Sequence, residues 1–422
     1  MKEEHMREKL LWVLAAALLV SGCTNLGPRP KGWSYSQQSA LLHILETDKY
    51  ASLCDLKPTY EKYLQTKDAN LLNKLMVGYT QNLANSCIDV AAFKASQRAK
   101  KAKKIKTHYE IALQSAKASD IMLQLQSGKS VEEILKPYIP TSPQFDRLLS
   151  HYRALLPKGE SKELKRIKLN IERTKLMKPA AWNTYVLINV PEYKFRLFEH
   201  GSKVMEFAVV VGKRAWQTPI FSSTLKYVVL NPAWNVPDNI AREELIPKLV
   251  RNPNYLKRKN MVVRRDYNID SEDIDPKSVN WKLYLTEEYK HKNLPYKLIQ
   301  RSSSKNALGT VKFMFPNRFS VYMHDTQAKS LFKRKKRAYS HGCIRLAKPQ
   351  KLLKHLSNGY TSQGFDSVQK RSSTKKTNYV TLAQKIPVHI TYFTAYVDED
   401  GVLRFFDDVY GFDKSQKLKG AL

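Results

Sequence analysis

Apolar positions change their spacing along the chain. From Ser34 to about Leu156 they recur every three or four residues in "SALLHILETDKYASL", "DANLLNKLMVGYTQNLANSC" and "ASDIMLQLQSGKSVEEILKPYI", with Gly or Pro at the breaks, which predicts helices. "SKELKRIKLNIERTKLM", Ser161 to Met177, keeps that period and reads as a helix leading out of this scaffold. After Pro179 the period falls to two. Strands are expected at Tyr185 to Val190, Lys194 to Phe198 and Lys203 to Val211, with "EHGS" as a hairpin turn and another strand from Leu225. Alternation returns in "TVKFMFPNRFSVYMHD" and in the tail "PVHITYFTAYVDEDGVLRFFDD", which turns at Asp398 to Gly401. Between Ala241 and about Lys305 the pattern is interrupted by helical and Asp-rich sequence, whose length suits an inserted lid. "KPQKLLKHLSNG" is a helix opened by Pro349 and closed by Gly359. The expected architecture is α+β: an all-helical domain over residues 23–160, a linker helix at 161–180, and a β-rich domain at 181–422 with a capping insertion at about 241–305.

The first residues carry an address. The apolar run Leu10 to Val20 is shorter than the roughly 20 residues a membrane span needs, and it reads as the core of an export signal over residues 1–22. The stretch before it is acidic, and a start at Met6 restores the usual basic excess. "VSGCTN" resembles the bacterial lipobox, which implies cleavage before Cys23, a lipid on its sulfur and membrane anchorage of an exported protein. Thr24 after Cys23 favours the outer membrane if the cell is Gram-negative.

Export changes how the charge is read. With 72 Lys and Arg against 38 Asp and Glu, the formal charge of +34 calls for an anionic partner. Outside the inner membrane that partner is a cell wall or an anionic surface rather than nucleic acid. One basic cluster, Lys100, Lys101, Lys103, Lys104 and Lys106, is either a solvated helix face or a contact with such a surface. Of four cysteines, Cys23 would take the lipid, and Cys54 and Cys87 are left either to pair, closing a loop that would stabilise the fold by roughly 3 to 4 kcal/mol, or to stand as two separate buried thiols.

The remaining thiol, Cys343, lies in "YMHDTQAKSLFKRKKRAYSHGCIRLAKP". A structural zinc is disfavoured because there is no CxxC, and a catalytic one would need His324, Asp325 and His341 together. As a nucleophile, Cys343 needs a base or a positive surrounding to reach the thiolate state. His341 is two residues away, His324 is near only if its strand lies beside the motif, and spacing does not choose between them. Gly342 lets substrate approach, the N–H groups of Gly342 and Cys343 could hold an oxyanion, and Arg345 suits a substrate carboxylate. The run Lys333 to Arg337 reads as a basic approach to the cleft or as a solvated loop.

"HDT…YSHGCIRL" resembles the signature of the YkuD-type L,D-transpeptidases. The likeness extends through "KLNIERTKLM", "VLINVPEYKFRLFE", "VVVGKRAWQTPIFS", "NPAWNVPDNIAREELIPKL", "NALGTVKFMFPN" and "ITYFTAYVDEDG", across about Ser161 to Asp413, and points to the large Gram-negative (YcbB-like) branch. The resemblance implies a catalytic β-sandwich in which Cys343 attacks the L,D bond at the third residue of a tetrapeptide stem of peptidoglycan. D-Alanine leaves, and the thioester passes to an amine of another stem as a 3→3 cross-link, to water, or to a lipoprotein amine. It also implies that His324 is the base, oriented by the backbone carbonyl of Asp325. Gly342 then supplies an oxyanion N–H, and Tyr322, Trp234, Ser340, His341 and Arg345 line the groove. It implies no cofactor and no metal. Two positions depart from the branch: His341 where many relatives have Ser, and Ser302 to Ser304 where a "PGP" is usual.

Overall fold

The computed structural model describes residues 28–268, 270–289 and 292–420, so the stretch expected to be an export signal, and Cys23, lie outside the described residues. Two compact units form: one from Met1–Val90, Ile111–Leu176 and Gln416–Leu422, the other from Ala91–Glu110 and Met177–Ser415. No helix among the described residues is long and apolar enough to cross a membrane.

The first unit is helical: Tyr35–Glu46, Lys57–Thr66, Ala69–Asn85, Ala118–Gln126, Val131–Leu135, Pro143–Leu155 and Lys162–Lys175. Capping boxes at Ser34 with Gln37 and at Ser130 with Glu133 satisfy helix-start N–H groups that otherwise have no partner. Cys54 and Cys87 are joined by a disulfide, and the Cys87 N–H donates to Glu172 Oε2 at 2.6 Å. The helix Lys162–Lys175, expected as a linker, is instead a core helix of this unit. Glu172 is fully buried between Lys168 and Lys175, at 3.6 and 2.8 Å, and Lys175 also donates to Ala51 O and Ser52 Oγ. Buried charges survive only when paired in this way, so the charged side chains of this helix form a satisfied ionic core.

The second unit is built on strands β1 (Tyr185–Asn189), β2 (Lys194–Glu199), β3 (Ser202–Gly212), β4 (Phe221–Leu230), β5 (Trp234–Asn235), β6 (Met261–Arg264), β7 (Lys297–Gln300), β8 (Val311–Met314), β9 (Met323–His324), β10 (Ala338–Ser340), β11 (Ile344–Leu346), β12 (Asn378–Thr391), β13 (Ala395–Val397) and β14 (Leu403–Phe405). Nine of them pair in the order β10-β3-β11-β9-β8-β4-β12-β1-β2, and β2 also pairs with β3, so the ladder closes on itself. The long β3 makes this possible. Its first half pairs with β2, while Val209 and Val210 face β11 on the way to the catalytic turn. His200 and Gly201 both have positive φ, 48° and 76°, which is the turn a two-residue hairpin prefers.

The insertion expected as a lid spans β5 to β7, beginning earlier than the break in alternation suggested. Its sheet, β5-β7-β6, packs with the helix Ile246–Arg251 around Leu245, Leu249, Met261, Trp281 and Leu298. Trp216, from the loop between β3 and β4, belongs to the same apolar cluster.

Ala91–Glu110 is the largest departure from a linear reading. Its sequence continues the helical half, yet Phe93 packs edge-on against Tyr109 and Phe412 within the β unit. Beyond the helix Val90–Ala102 the segment runs beside the loop before β4. Lys106 N donates to Ala215 O, Gln217 N to Lys106 O and Glu110 N to Ile220 O. Only tertiary packing reveals this, because the local period of three or four is genuine over Val90–Ala102.

Candidate active site

Cys343 closes a tight turn between β10 and β11. The helix Pro349–Tyr360 begins six residues later, after β11, so the free N–H groups of its start are not at the cysteine. Ser340 staples the turn: its hydroxyl donates to Cys343 O at 2.5 Å and accepts the Gly342 N–H at 3.1 Å. One expectation changes accordingly: Gly342 does not offer its N–H to an oxyanion, because Ser340 Oγ already takes it. Ser340 lines the groove, with its hydroxyl engaged by the backbone of the turn. The Cys343 N–H is the oxyanion donor that remains to be considered. Gly342 sits at φ 114°, a conformation open to glycine, and its carbonyl accepts from Thr218 Oγ1 at 2.8 Å. Thr218 Oγ1 also accepts the Gly212 N–H, and Tyr410 OH donates to Gly212 O while accepting the Thr218 N–H, so a buried polar network holds the turn from below.

The two histidines part company. Parallel pairing of β9 with β11 sets His324 opposite Arg345, and His324 is only 4% exposed. Its Nδ1–H donates to Asp325 O at 2.5 Å, which fixes the tautomer and makes Nε2 the basic nitrogen. Burial, followed by the nearby Arg345 charge, pushes its pKa down to about 3. The Asp325 carboxylate does separate work: it accepts Thr310 N–H at 3.0 Å and Thr326 N–H at 2.7 Å, and pairs with Lys329. His341 instead binds the lid. Its Nε2 lies 2.7 Å from Glu244 Oε1 and its ring meets Trp216 edge-on at 4.8 Å.

At the sulfur, burial raises the thiol pKa, opposed by hydrogen bonds from the Tyr322 N–H and phenol and then by the charges of Lys312 and Arg345. The thiol also reaches Ser320 O at 3.8 Å. Lys312 is itself largely withdrawn from water, which lowers its pKa, and its ammonium sits over the Tyr322 ring at 4.9 Å. The ground state is therefore a thiol beside a neutral imidazole, with two cations placed to stabilise a developing thiolate.

One groove of about 790 Å³ gathers Cys343, His324, Arg345, Tyr322, His341 and Trp234. Arg345 Nε is buried there with no hydrogen-bond partner, a donor awaiting an acceptor. Lys333 to Arg337 do not line it. Arg337 donates to Val209 O and Tyr193 O and serves the fold, and Lys336 makes only an exposed pair with Asp407. Sequence reading missed Lys312, Thr218, Glu244, Trp216 and Lys106. Lys312 left a signal, a cation between Val311 and Phe313 in an apolar strand, and Lys106 stood in a basic cluster whose place in a groove its sequence did not show; Thr218, Glu244 and Trp216 are distant in sequence from Cys343 and were not singled out. Among the described residues, the one metal-like cluster is Cys54, Cys87 and Glu172, where the sulfurs are already bonded to each other.

Residues 183–370 match the YkuD family model, the L,D-transpeptidase catalytic domain. A Haemophilus influenzae protein named as a presumed L,D-transpeptidase is 27% identical over 344 residues, which is 81% of this chain and 64% of that protein, so the chain spans just under two thirds of its relative's length. Among solved structures, an L,D-transpeptidase from Mycobacterium smegmatis is similar over 50% of this chain and 60% of that one at 11% identity and a TM-score of 0.22. An avibactam carbamoyl enzyme, Ldtfm, covers 71% of this chain and 98% of that one, again at 11% identity and a TM-score of 0.22.

Proposed function

We propose that the β unit is a cysteine acyltransferase acting on peptidoglycan stems, an L,D-transpeptidase of the large Gram-negative branch. The observation that carries the reading is one groove holding a lone thiol, a buried imidazole with its Nδ1–H fixed, and an arginine donor without a partner. The family match over residues 183–370 supports the same chemistry.

As Cys343 sulfur bonds to the carbonyl carbon at the third stem residue, its proton passes to His324 Nε2, and the Cys343 N–H receives the oxyanion. Collapse breaks the C–N bond, and the imidazolium returns the proton to the leaving D-alanine amine. An acceptor amine then attacks the thioester and gives its proton to His324, while the departing sulfur takes one back. Arg345 binds a stem carboxylate, and the lid, tied to the catalytic turn through Glu244 and His341, keeps water from the thioester in favour of an amine. Hydrolysis or attack by a lipoprotein amine uses the same intermediate. Export and anchorage through a lipid on Cys23 belong to the same proposal, and Cys23→Ser would release the protein from membranes.

The test is purified protein with tetrapeptide-stem muropeptides, followed by mass spectrometry. Released D-alanine with cross-linked dimer, both lost in Cys343→Ala, is the expected result. No D-alanine release from the folded protein, or activity surviving in Cys343→Ala, would overturn the reading. Dimer absent with D-alanine released would assign hydrolysis instead.

A further inference from the structure

The groove is completed by a residue from outside the family-matched region. Lys106 stands on the Ala91–Glu110 segment, far upstream of residue 183, yet it lines the same groove as Cys343. Its backbone is held from both sides, donating to Ala215 O at 2.8 Å and accepting from Gln217 N at 2.9 Å. The flanks are locked as well. Thr107 is buried with its hydroxyl 2.6 Å from Gln97 Oε1, and His108 stacks on Phe319, beside Ser320 at the sulfur. The ammonium rests 3.9 Å from the centre of the Trp216 ring, the ring that also supports His341.

The charges around it are unbalanced. Lys106, Lys248, Lys259, Lys305 and Arg345 line the groove against the single carboxylate of Glu244, and Glu244 is engaged by His341 and Lys213. Among the described residues no carboxylate lies within ion-pair distance of Lys106. A cation held on an indole face in the wall of a cleft is a receptor for an anion. Partial burial lowers its pKa, and the Glu243 carboxylate, too far away to form an ion pair, offsets only part of that effect.

We infer that Lys106, seated on Trp216, is a specificity-determining residue that binds a carboxylate of the stem peptide distinct from the one met by Arg345. The identity of the ligand rests on the acyl-transfer reading; the anion site itself does not. The segment Ala91–Glu110 thus does more than brace the fold: it supplies part of substrate recognition that the matched domain lacks.

Equilibrium binding separates the two readings because it needs no turnover. Full-length Cys343→Ala and Cys343→Ala/Lys106→Gln would be titrated with an acidic tetrapeptide stem and with versions amidated at one carboxylate at a time. The expected result is about tenfold weaker binding in the Lys106→Gln background, with Lys106→Arg restoring most of it. That difference shrinks to within about twofold for one particular amidated peptide, and higher salt narrows it further. In the enzyme with Cys343 intact, Lys106→Gln raises KM and leaves kcat nearly unchanged. Equal affinities in the two backgrounds, or a loss that persists with every amidated peptide, would overturn the inference. A wild-type protein that binds the stem through Lys106 but releases no D-alanine would sink the catalytic reading and leave this one standing.

Discussion

Gly309→Ala strikes the imidazole through its support. Gly309 ends the "NALG" turn at φ 64°, and a Cβ there would meet Asp325 Oδ2 at 2.2 Å and Cγ at 2.3 Å. Two costs add. Holding a non-glycine residue left-handed costs roughly 1 to 2 kcal/mol, and forcing a methyl into a packed site typically costs about 1 to 3 more. A loss of about 2 to 5 kcal/mol lowers the melting temperature of a unit this size by at least about 5 °C. Catalysis suffers separately. The displaced carboxylate anchors Thr310 and Thr326 on either side of the carbonyl that receives the His324 Nδ1–H, so that carbonyl shifts and Nε2 loses its orientation. Turnover is expected to fall at least about tenfold, the equivalent of about 1.4 kcal/mol in the barrier. Circular dichroism melts and D-alanine release measure the two effects. Asp325→Asn is a companion probe without the clash: it loses the pair with half-exposed Lys329 and, since an amide has one acceptor oxygen, one of the bonds from Thr310 N–H and Thr326 N–H, at about 1 to 3 kcal/mol. A Gly309→Ala protein that melts within about 1 °C of wild type and turns over within about twofold would refute the reasoning.

Alkylation of Cys343 by iodoacetamide should climb steadily as pH rises toward and beyond 9, since burial raises the thiol pKa; a reactive plateau at pH 4 to 7 would instead reveal a thiolate–imidazolium pair. His324 is depressed to about 3 in the fold against an ordinary value near 6.5, so the unfolded chain binds more protons between those values and stability is lost as pH falls from about 6.5 toward 3. His324→Asn should make that acid dependence shallower in urea titrations, while His108 and His389, both lowered to about 4 by burial, keep the remainder. Lys312→Met removes a cation that favours the thiolate, and alkylation at fixed pH should slow several-fold while the fold persists; an unchanged rate would remove Lys312 from the site. Cys54→Ser/Cys87→Ser should destabilise the helical unit by roughly 3 to 4 kcal/mol, read as an earlier melting transition.

The chain by itself determined the α+β order, the first three strands to within a residue or two, and the chemistry concentrated at Cys343. Period-two alternation and turn residues are local properties, and β1, β2 and β3 follow from them. Choosing His324 over His341 needed the family resemblance at first, because both spacings are compatible with a nearby base. The fold supplies a physical ground: β9 pairs with β11, whereas Glu244 and Trp216 occupy His341. Tertiary structure alone decided where hydrogen bonds between distant residues are used up. Ser340 takes the Gly342 N–H, Glu172 and Lys175 turn a charged helix into a buried core, and Arg337 spends its guanidinium on backbone carbonyls. It also decided that Lys106 belongs to the groove. No local pattern encodes such partners, since a residue's period reports which face it lies on and not which remote strand or loop will cover that face.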